Sequence, residues 1–256
     1  MEKTVVIDLE KCVGCGKCAR DCVSSAIYVE GGKARIREGC IGCGHCFAIC
    51  PAGAVDMPGY DAASCGEVVP MTAIDSDTLL QAMKSRRTVR HFKDIPVEQE
   101  KIDKILEAGR YAPTGANSQN VACTILGSKQ ASIERDCVRL FKTGVGIGSK
   151  LVSFLRNVDI NDTFFFKGAP LVIVVSGHDS VNATLASAYM EIEANSLGLG
   201  VLYSGFFCSA AGILPKVRSA LKLPKGHKPV TCMIIGYPDV EYLRIPPRKE
   251  RKARIL

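Results

Sequence analysis

The sequence predicts an α+β protein in which a small cysteine-rich domain precedes a larger domain of helices and strands. Three observations lead to this prediction. The chain has 256 residues, which is longer than one typical domain. Eight of its 13 cysteines lie between Cys12 and Cys50. Beyond residue 74, segments with helical periodicity alternate with short apolar strands, which is typical of a mixed α and β domain.

The cysteine-rich segment contains two copies of one pattern. The spacing C-x₂-C-x₂-C-x₃-C runs from Cys12 to Cys22 and again from Cys40 to Cys50. The first three thiolates of each copy can wrap around one cubane iron–sulfur cluster, whereas the fourth lies too far along the chain and ligates the other cluster. The pattern therefore predicts two [4Fe-4S] clusters. One is assigned to Cys12, Cys15, Cys18 and Cys50, and the other to Cys40, Cys43, Cys46 and Cys22.

Other uses of these cysteines explain the pattern less well. A disulfide framework suits short secreted chains, and we expect no signal peptide because the N-terminus has no apolar region. Zinc ribbons place two C-x₂-C pairs roughly 15–20 residues apart and have no use for the remaining cysteines. Residues 2–57 resemble a bacterial two-cluster ferredoxin, apart from Val23, where that family usually has proline. His45 is interpreted as a surface residue, because a cysteine already fills every ligand position.

The domain boundaries are predicted from local signals. Short strands are expected at residues 3–7 and 26–29, around the first cysteine loop. Pro58-Gly59 is a turn signal, and little periodicity follows it as far as Ala73. Cys65 lies in this stretch, outside the cluster spacing, and is interpreted as a free thiol. We therefore predict a two-cluster domain at 1–58, a linker at 59–74 and the larger domain at 75–256.

The larger domain begins with two predicted helices. Asp75 is an N-cap candidate for the first helix, which we expect to turn Leu79, Leu80 and Met83 towards the core. Pro96 is expected to open the second. A continuous apolar run at 170–176 predicts a buried strand. The other expected elements are strands at 121–126, 201–203 and 231–236, and helices at 131–141 and 182–197.

The net charge of the chain is a poor indicator of nucleic-acid binding. Residues 1–60 carry seven Lys/Arg and seven Asp/Glu, so the whole formal excess of +7 lies beyond them. Thiolate-bound clusters and a bound phosphate would add negative charge, and no helix-turn-helix or zinc-finger pattern is present. No apolar run approaches the roughly 18 residues of a membrane span. Because clusters and free thiols require a reducing compartment, we expect a cytoplasmic protein.

A second candidate site begins with the segment S-R-R-T-V-R-H-F at 85–92. Arginine binds phosphate oxygens bidentately, although basic residues are also favoured at a helix C-terminus for electrostatic reasons. Three further motifs follow in order. They are A-P-T-G-A-N-S-Q at 112–119, L-G-L-G-V-L-Y-S-G-F at 197–206 and P-V-T-C-M-I-I-G-Y-P at 229–238. Together they resemble the nitroreductase family of flavoenzymes over roughly residues 76–250.

This resemblance implies a bound FMN and assigns residues to it. Arg86 and Thr88, with Arg87 beside them, match the residues that hold the phosphate and ribityl chain. Arg90 matches a cation near the flavin N1–C2 carbonyl edge, where positive charge stabilises the reduced flavin. Another four residues match a loop that contacts FMN across a dimer interface, namely Pro113, Thr114, Gly115 and Asn117.

Two more pairs are assigned by the same resemblance. The backbone N–H groups of Ser204 and Gly205 match those that approach flavin N5 and O4; many family members have glutamate at the position of Ser204. Arg248 and Lys249 match a basic pair that closes on the phosphate, with Arg244 and Arg251 near enough in sequence to replace them.

The predicted function joins the two halves. Clusters pass one electron each, whereas FMN holds two, so we expect an oxidoreductase that reduces nitro compounds, quinones or similar electron-poor acceptors. The donor would be a low-potential carrier such as ferredoxin, or NAD(P)H, and the protein would be a homodimer. We predict no catalytic side chain, and residues 137–168 are expected to shape the substrate pocket. The alternatives are a specialised member of the fold, such as a reductive dehalogenase or a flavin-fragmenting enzyme, an electron-transfer module for a partner protein, and a redox sensor.

Overall fold

A computed structural model describes residues 5–61, 65–148, 159–250 and 252–255 of the chain. The chain divides into two compact units. Unit 1 contains Met1–Ala73 together with Thr114–Gln119, and unit 2 contains Ile74–Pro113 and Asn120–Leu256. Residues 3–4 of the first predicted strand and 149–158 of the predicted pocket segment lie outside the described residues.

Unit 1 consists of short elements around the two cysteine loops. Strand β1 pairs antiparallel with β4, and β2 pairs with β3 through a two-residue turn at Gly31–Gly32. Each cysteine loop leads into a short helix whose N-cap is a glycine in the left-handed region, Gly16 at φ 72° and Gly44 at φ 76°. Glycine adopts this conformation without a steric penalty. The elements are β1 Val6–Ile7, α1 Lys17–Asp21, β2 Ile27–Glu30, β3 Lys33–Ile36, α2 His45–Ile49 and β4 Val55–Asp56.

Unit 2 is built on an antiparallel sheet in the order β5-β6-β8-β7. All seven residues of β6 are buried, as predicted for 170–176. Alternate β6 side chains enter two different apolar clusters, Val172 and Val174 one of them and Ile173 and Val175 the other. Both faces of the sheet are therefore covered, and the central strand lies between two halves of the core.

The bounds of the unit 2 elements follow the chain order. They are α3 Ser76–Ser85, α4 Gln99–Arg110, β5 Val121–Ile125, α5 Gln130–Gly148, β6 Leu171–Gly177, α6 Ser180–Ser196, β7 Gly200–Tyr203, α7 Gly205–Ile213, α8 Pro215–Ala220 and β8 Lys228–Gly236. Helices α7 and α8 are absent from our sequence prediction, because α7 is apolar on all sides and α8 has only six residues.

The first two helices correct the sequence prediction in part. Asp75 is the N-cap of α3 as predicted, since its Oδ1 accepts a hydrogen bond from the Thr78 N–H at 2.8 Å. The predicted core placement is wrong for Leu80 and Met83, whose side chains are 48% and 47% exposed, whereas Leu79 is half-buried. Helix α4 begins at Gln99, three residues beyond Pro96. Pro96 thus precedes the helix and does not open it.

Helix α6 carries apolar residues on two opposite faces. Small residues such as Ala183 and Ala194 pack in the cluster that contains strand residues, while larger apolar residues point outwards. Leu185, Tyr189 and Ile192 are 38%, 44% and 46% exposed. The spacing of these three residues places them on one face of the helix. The described residues of this chain do not cover that face.

Candidate functional site

The first predicted cluster site is a cavity in unit 1. Its lining includes all four thiols assigned to one cluster, Cys12, Cys15, Cys18 and Cys50. The structure therefore brings the last cysteine of the second copy to the first three of the first copy. Four thiols around one cavity fit a cubane cluster, which takes four thiolate ligands.

Backbone N–H groups are directed at the cysteine sulfurs. The Cys22, Cys50 and Cys12 Sγ atoms accept hydrogen bonds from Ala26, Ala54 and Ala34 at 3.3, 3.3 and 3.4 Å. The bond from the Ala34 N–H lowers the pKa of Cys12, because it stabilises the thiolate. These donors suit ligands that carry negative charge.

The second predicted set has the same kind of sulfur contact. The Gly42 N–H donates to Cys40 Sγ at 3.4 Å. Burial raises the pKa of Cys46 to about 11, and coordination to a metal would offset the cost of ionising this thiol. Among the described residues, no group of three or more His, Cys, Asp or Glu side chains is arranged to hold a single metal ion. A cubane differs from that case, since it presents four iron atoms to its four thiolates.

His45 has a contact that sequence analysis missed. Its Nδ1 atom lies 3.1 Å from Cys43 Sγ. The side chain is exposed, as expected of a surface residue, but it also reaches a predicted ligand. The only indication of this contact in the sequence is that His45 follows Cys43 by two residues.

The loop Thr114–Gln119 belongs to unit 1, where it contacts the second cysteine loop. Asn117 Nδ2 donates to the carbonyl oxygens of Gly42 at 2.9 Å and Ile41 at 3.4 Å. Asn117 adopts a left-handed φ of 52°, a conformation that costs about 1–2 kcal/mol for most residues and less for asparagine. The Asn117 amide, predicted to contact FMN, therefore binds the cysteine loop in this chain. Pro113, predicted as part of the same loop, is the last residue of its segment of unit 2.

The arginine-rich segment of unit 2 contains one buried, unpartnered donor. Arg86 Nη1 is paired with Glu191 Oε1 at 2.8 Å. Arg87 Nη1 is buried and has no hydrogen-bond partner within the described part of the chain. An uncompensated guanidinium nitrogen is costly, and an anionic ligand such as a phosphate would remove that cost. The segment therefore fits the phosphate end of FMN.

Thr88 is fixed by the backbone around it. Its backbone forms a parallel bridge with Val201 of β7. The Thr88 carbonyl accepts from Tyr242 Oη at 3.1 Å and from Arg90 Nη1 at 3.5 Å. Tyr242 thus attaches the start of the C-terminal segment to this motif. Further along that segment, Arg248 and Lys249 are exposed and have no regular secondary structure, and Arg251 lies outside the described residues.

A cavity of about 420 Å³ lies between α6, α7 and β8, within the size range of small-molecule sites. Its lining includes Glu191, Tyr203, Gly205 and Thr231. Burial and the neighbouring Glu191 carboxylate raise the pKa of Tyr203, so this side chain stays a neutral phenol. The cavity contains one of the residues predicted to contact the flavin ring, Gly205.

The predicted pair Ser204 and Gly205 differ in what their N–H groups can do. The Ser204 N–H, just beyond the end of β7, donates to the Cys232 carbonyl of β8 at 2.8 Å. Gly205 is the first residue of α7, and the first N–H groups of a helix have no partner within it. The Gly205 N–H therefore fits the predicted contact with a flavin, and that of Ser204 serves the fold.

Comparisons with known proteins match both halves of the chain. The model of the nitroreductase family matches residues 83–237, and that of the 4Fe-4S dicluster domain matches residues 4–51. The chain is 28% identical over 172 residues to "FMN reductase [NAD(P)H]" of Bacillus subtilis, covering 62% of this chain and 66% of that protein. It is 23% identical over 169 residues to "Putative NADH dehydrogenase/NAD(P)H nitroreductase" of Methanothermobacter thermautotrophicus, covering 62% and 77%. The chain thus spans just under two thirds of the Bacillus relative.

Solved structures share the fold of unit 2. The structure of a nitroreductase with bound FMN from Bacteroides fragilis has a TM-score of 0.59 and 21% identity, and covers 72% of this chain and 100% of that one. Iodotyrosine deiodinase bound to FMN and 3-iodo-L-tyrosine has a TM-score of 0.55 and 24% identity, with coverage of 69% and 97%. At these identities the likeness shows the fold alone. In the described part of the chain, no helix is both long and apolar enough to cross a membrane.

Proposed function

The chain belongs to the nitroreductase family, and on that premise we propose that it is an FMN-dependent oxidoreductase supplied with electrons by two [4Fe-4S] clusters. Its acceptors would be nitro compounds, quinones or similar electron-poor small molecules. One observation carries the proposal: the cavity of unit 1 is lined by four thiols from two cysteine runs, in the same chain as the family's flavin motifs. The match of residues 4–51 to a 4Fe-4S dicluster domain supports the cluster assignment.

The two kinds of cofactor have complementary chemistry. When bound, each cluster carries one electron, whereas FMN accepts two and can release them together as hydride. The residues proposed to hold the clusters are the eight cysteines, assisted by the N–H groups that point at their sulfurs. The N–H groups balance the negative charge of the thiolates, and so help this small domain to retain two anionic clusters.

Residues of unit 2 are proposed to hold FMN. Arg86 and Arg87 would bind the phosphate, with Thr88 at the ribityl chain and Arg90 near the pyrimidine edge of the ring. Arg87 offers the strongest support, since its buried Nη1 has no partner in the described residues. The Gly205 N–H would donate to the flavin ring. We retain Arg248 and Lys249 as candidates for the phosphate.

We also propose a homodimer with FMN at its interface. The outward face of α6, with Leu185, Tyr189 and Ile192, and the exposed Leu80 and Met83 of α3 present large apolar groups to solvent. Apolar surface of this kind is typical of a protein–protein contact. A second copy of this chain is the occupant that agrees with the family resemblance.

The electron donor is proposed from chemistry and from relatives. A low-potential one-electron carrier such as ferredoxin suits a protein in which electrons enter through clusters, because each cluster accepts one electron at a time. The names of the Bacillus and Methanothermobacter relatives include NAD(P)H, so this donor is retained beside it. Free thiols and clusters favour a reducing compartment such as the cytoplasm.

Anaerobic spectroscopy tests the proposal. Protein loaded with iron, sulfide and FMN should lose its flavin absorbance when mixed with reduced ferredoxin, and regain it on addition of a nitroaromatic or quinone. The control is a variant with all eight cluster cysteines replaced by serine, which should lose reduction by ferredoxin. If NAD(P)H alone reduces wild type and control equally fast, and ferredoxin reduces neither, the cluster route is wrong. Assaying the products for halide release tests the dehalogenase alternative.

A further inference from the structure

The two copies of the cysteine pattern lie in different surroundings, although their sequences are equivalent. In the first copy, Val13 is 67% exposed and Cys15 is also exposed. At the matching positions of the second copy, Ile41 and Cys43 are half-buried and Gly42 between them is buried. The repeat therefore has one open loop and one covered loop.

The segment that covers the second loop is Thr114–Gln119 of the same unit. Asn117 Nδ2 donates to the Ile41 and Gly42 carbonyls at 3.4 and 2.9 Å. The Ile41 carbonyl and the Gly42 N–H belong to one peptide group, and that N–H donates to Cys40 Sγ at 3.4 Å. A hydrogen bond to the oxygen of a peptide polarises its N–H and strengthens it as a donor. Asn117 is thus connected through one peptide to a cluster ligand.

The first loop has a different neighbour at the corresponding position. A Cβ atom on Gly14 would lie only 2.0 Å from the Gly32 carbonyl oxygen, so the turn between β2 and β3 packs tightly there. Gly14 also has a φ of +67°. Both the close approach of Gly32 and this backbone conformation therefore require glycine. The β2–β3 turn holds the first loop, whereas the segment predicted to contact FMN holds the second.

We propose that the second cluster, held by Cys40, Cys43, Cys46 and Cys22, delivers electrons to the flavin, and that Asn117 is the positioning residue that fixes the flavin loop against it. This inference rests on the proposed function, and on the family resemblance by which Thr114 and Gly115 belong to a loop that contacts FMN. The first cluster, in the open loop, takes one electron at a time from an external low-potential one-electron carrier. Each transfer oxidises the second cluster by one electron, which the first then replaces. Two transfers, with protons from water, fully reduce one FMN.

Matched cysteine variants separate the roles of the two clusters. Cys15→Ser and Cys43→Ser remove equivalent ligands from the two copies, and iron analysis of the full-length protein shows whether the other cluster remains. The probe is a viologen radical added to FMN-loaded protein, with flavin absorbance as the readout. The double variant Cys15→Ser/Cys43→Ser measures direct reduction of the flavin by viologen.

We expect Cys43→Ser to fall to the rate of the double variant and Cys15→Ser to stay above it. The reverse order would overturn the assignment while leaving cluster-fed reduction intact. Equal rates in wild type and all three variants would instead overturn the cluster route of the proposed function, and this inference with it.

A second measurement does not depend on removing a cluster. Asn117→Gly tolerates the left-handed backbone at φ 52° and removes the side chain with its amide. With a weaker Gly42 donor, the midpoint potential of the second cluster should fall and that of the first should stay unchanged, as followed by EPR during redox titration. Gln119→Ala, an exposed residue of the same loop, is the control and should shift neither. Equal shifts of both clusters, or no shift in Asn117→Gly, would show that Asn117 does not act on the second cluster.

Discussion

The Nδ1 atom of His45 lies 3.1 Å from Cys43 Sγ, within the second cysteine loop. A cluster-bound thiolate has no proton, so the imidazole must be the donor in this contact. Hydrogen bonds to the ligand sulfurs are among the factors that set the potential of an iron–sulfur cluster. His45 is therefore placed to tune one of the two predicted clusters, although it is not a ligand.

We expect His45→Leu to lower the midpoint potential of the second cluster, because a donor that stabilises the more negative reduced state is lost. EPR-monitored redox titration of the full-length protein measures this. Lys17 occupies the matching position of the first copy, so Lys17→Leu is the control and should leave the second cluster unchanged. An unchanged potential in His45→Leu would mean that the contact does not form in the loaded protein.

A second prediction concerns Arg87, whose buried Nη1 lacks a partner in the described residues. In the absence of FMN, Arg87→Met should be as stable as wild type or more so, since an apolar side chain of similar length removes an unpaired buried donor. In the presence of FMN, wild type should be more stable than Arg87→Met. A ligand at about 100 times Kd stabilises a protein by about 2.7 kcal/mol, and the variant should lose most of this gain.

Thermal unfolding with and without FMN measures both effects. Arg110→Ala is a suitable control, because Arg110 is 63% exposed and paired with Glu107. It should keep the full FMN-dependent shift. A variant Arg87→Met that is destabilised without FMN and retains the shift would show that Arg87 serves the fold and not the phosphate.

The sequence predicted best what depends on local spacing. The cysteine pattern, the Asp75 cap and the buried strand β6 are each encoded within a few residues, and the matches to the nitroreductase family and the dicluster domain confirm the predicted combination. The boundaries at 58 and 74 and the flavin ligands stay predictions.

Other features could not be read from the sequence for physical reasons. Periodicity identifies an apolar helix face but not the surface that packs against it, so it does not reveal that Leu80 and Met83 lie outside the core. The partner of Asn117 lies 75 residues away at Gly42, and no local signal specifies such a contact. The ion pair between Arg86 and Glu191 joins residues that are 105 positions apart, so no local sequence pattern predicts it either.

A third prediction concerns the proposed dimer. Leu185→Glu places a charge on the outward face of α6, where desolvation in an interface is costly. We expect a monomer by size-exclusion chromatography with light scattering, and loss of bound FMN during purification. Val23→Glu is the control, because Val23 is 79% exposed in unit 1, and it should leave the dimer intact. A dimeric Leu185→Glu variant with full FMN content would place the interface elsewhere.

The last prediction concerns Glu134, a buried carboxylate on α5. Its Oε1 accepts from the Phe165 and Phe166 N–H groups at 2.9 and 2.7 Å and so fixes the turn that carries buried phenylalanines. Burial raises the pKa of Glu134 above its ordinary value, more than these two bonds lower it. A group with a raised pKa in the folded state favours folding at low pH, and its contribution is lost as pH rises through the folded pKa.

Glu134→Gln keeps the acceptor oxygen but cannot ionise, so its stability relative to wild type should improve between pH 4 and pH 7. Glu134→Ala leaves two buried N–H groups without an acceptor and should be destabilised by about 1–3 kcal/mol at both pH values. Circular dichroism during thermal unfolding, with FMN absent, measures the variants side by side. A constant difference between Glu134→Gln and wild type across this range would show that the carboxylate has an ordinary pKa in the folded protein, and that burial costs it little.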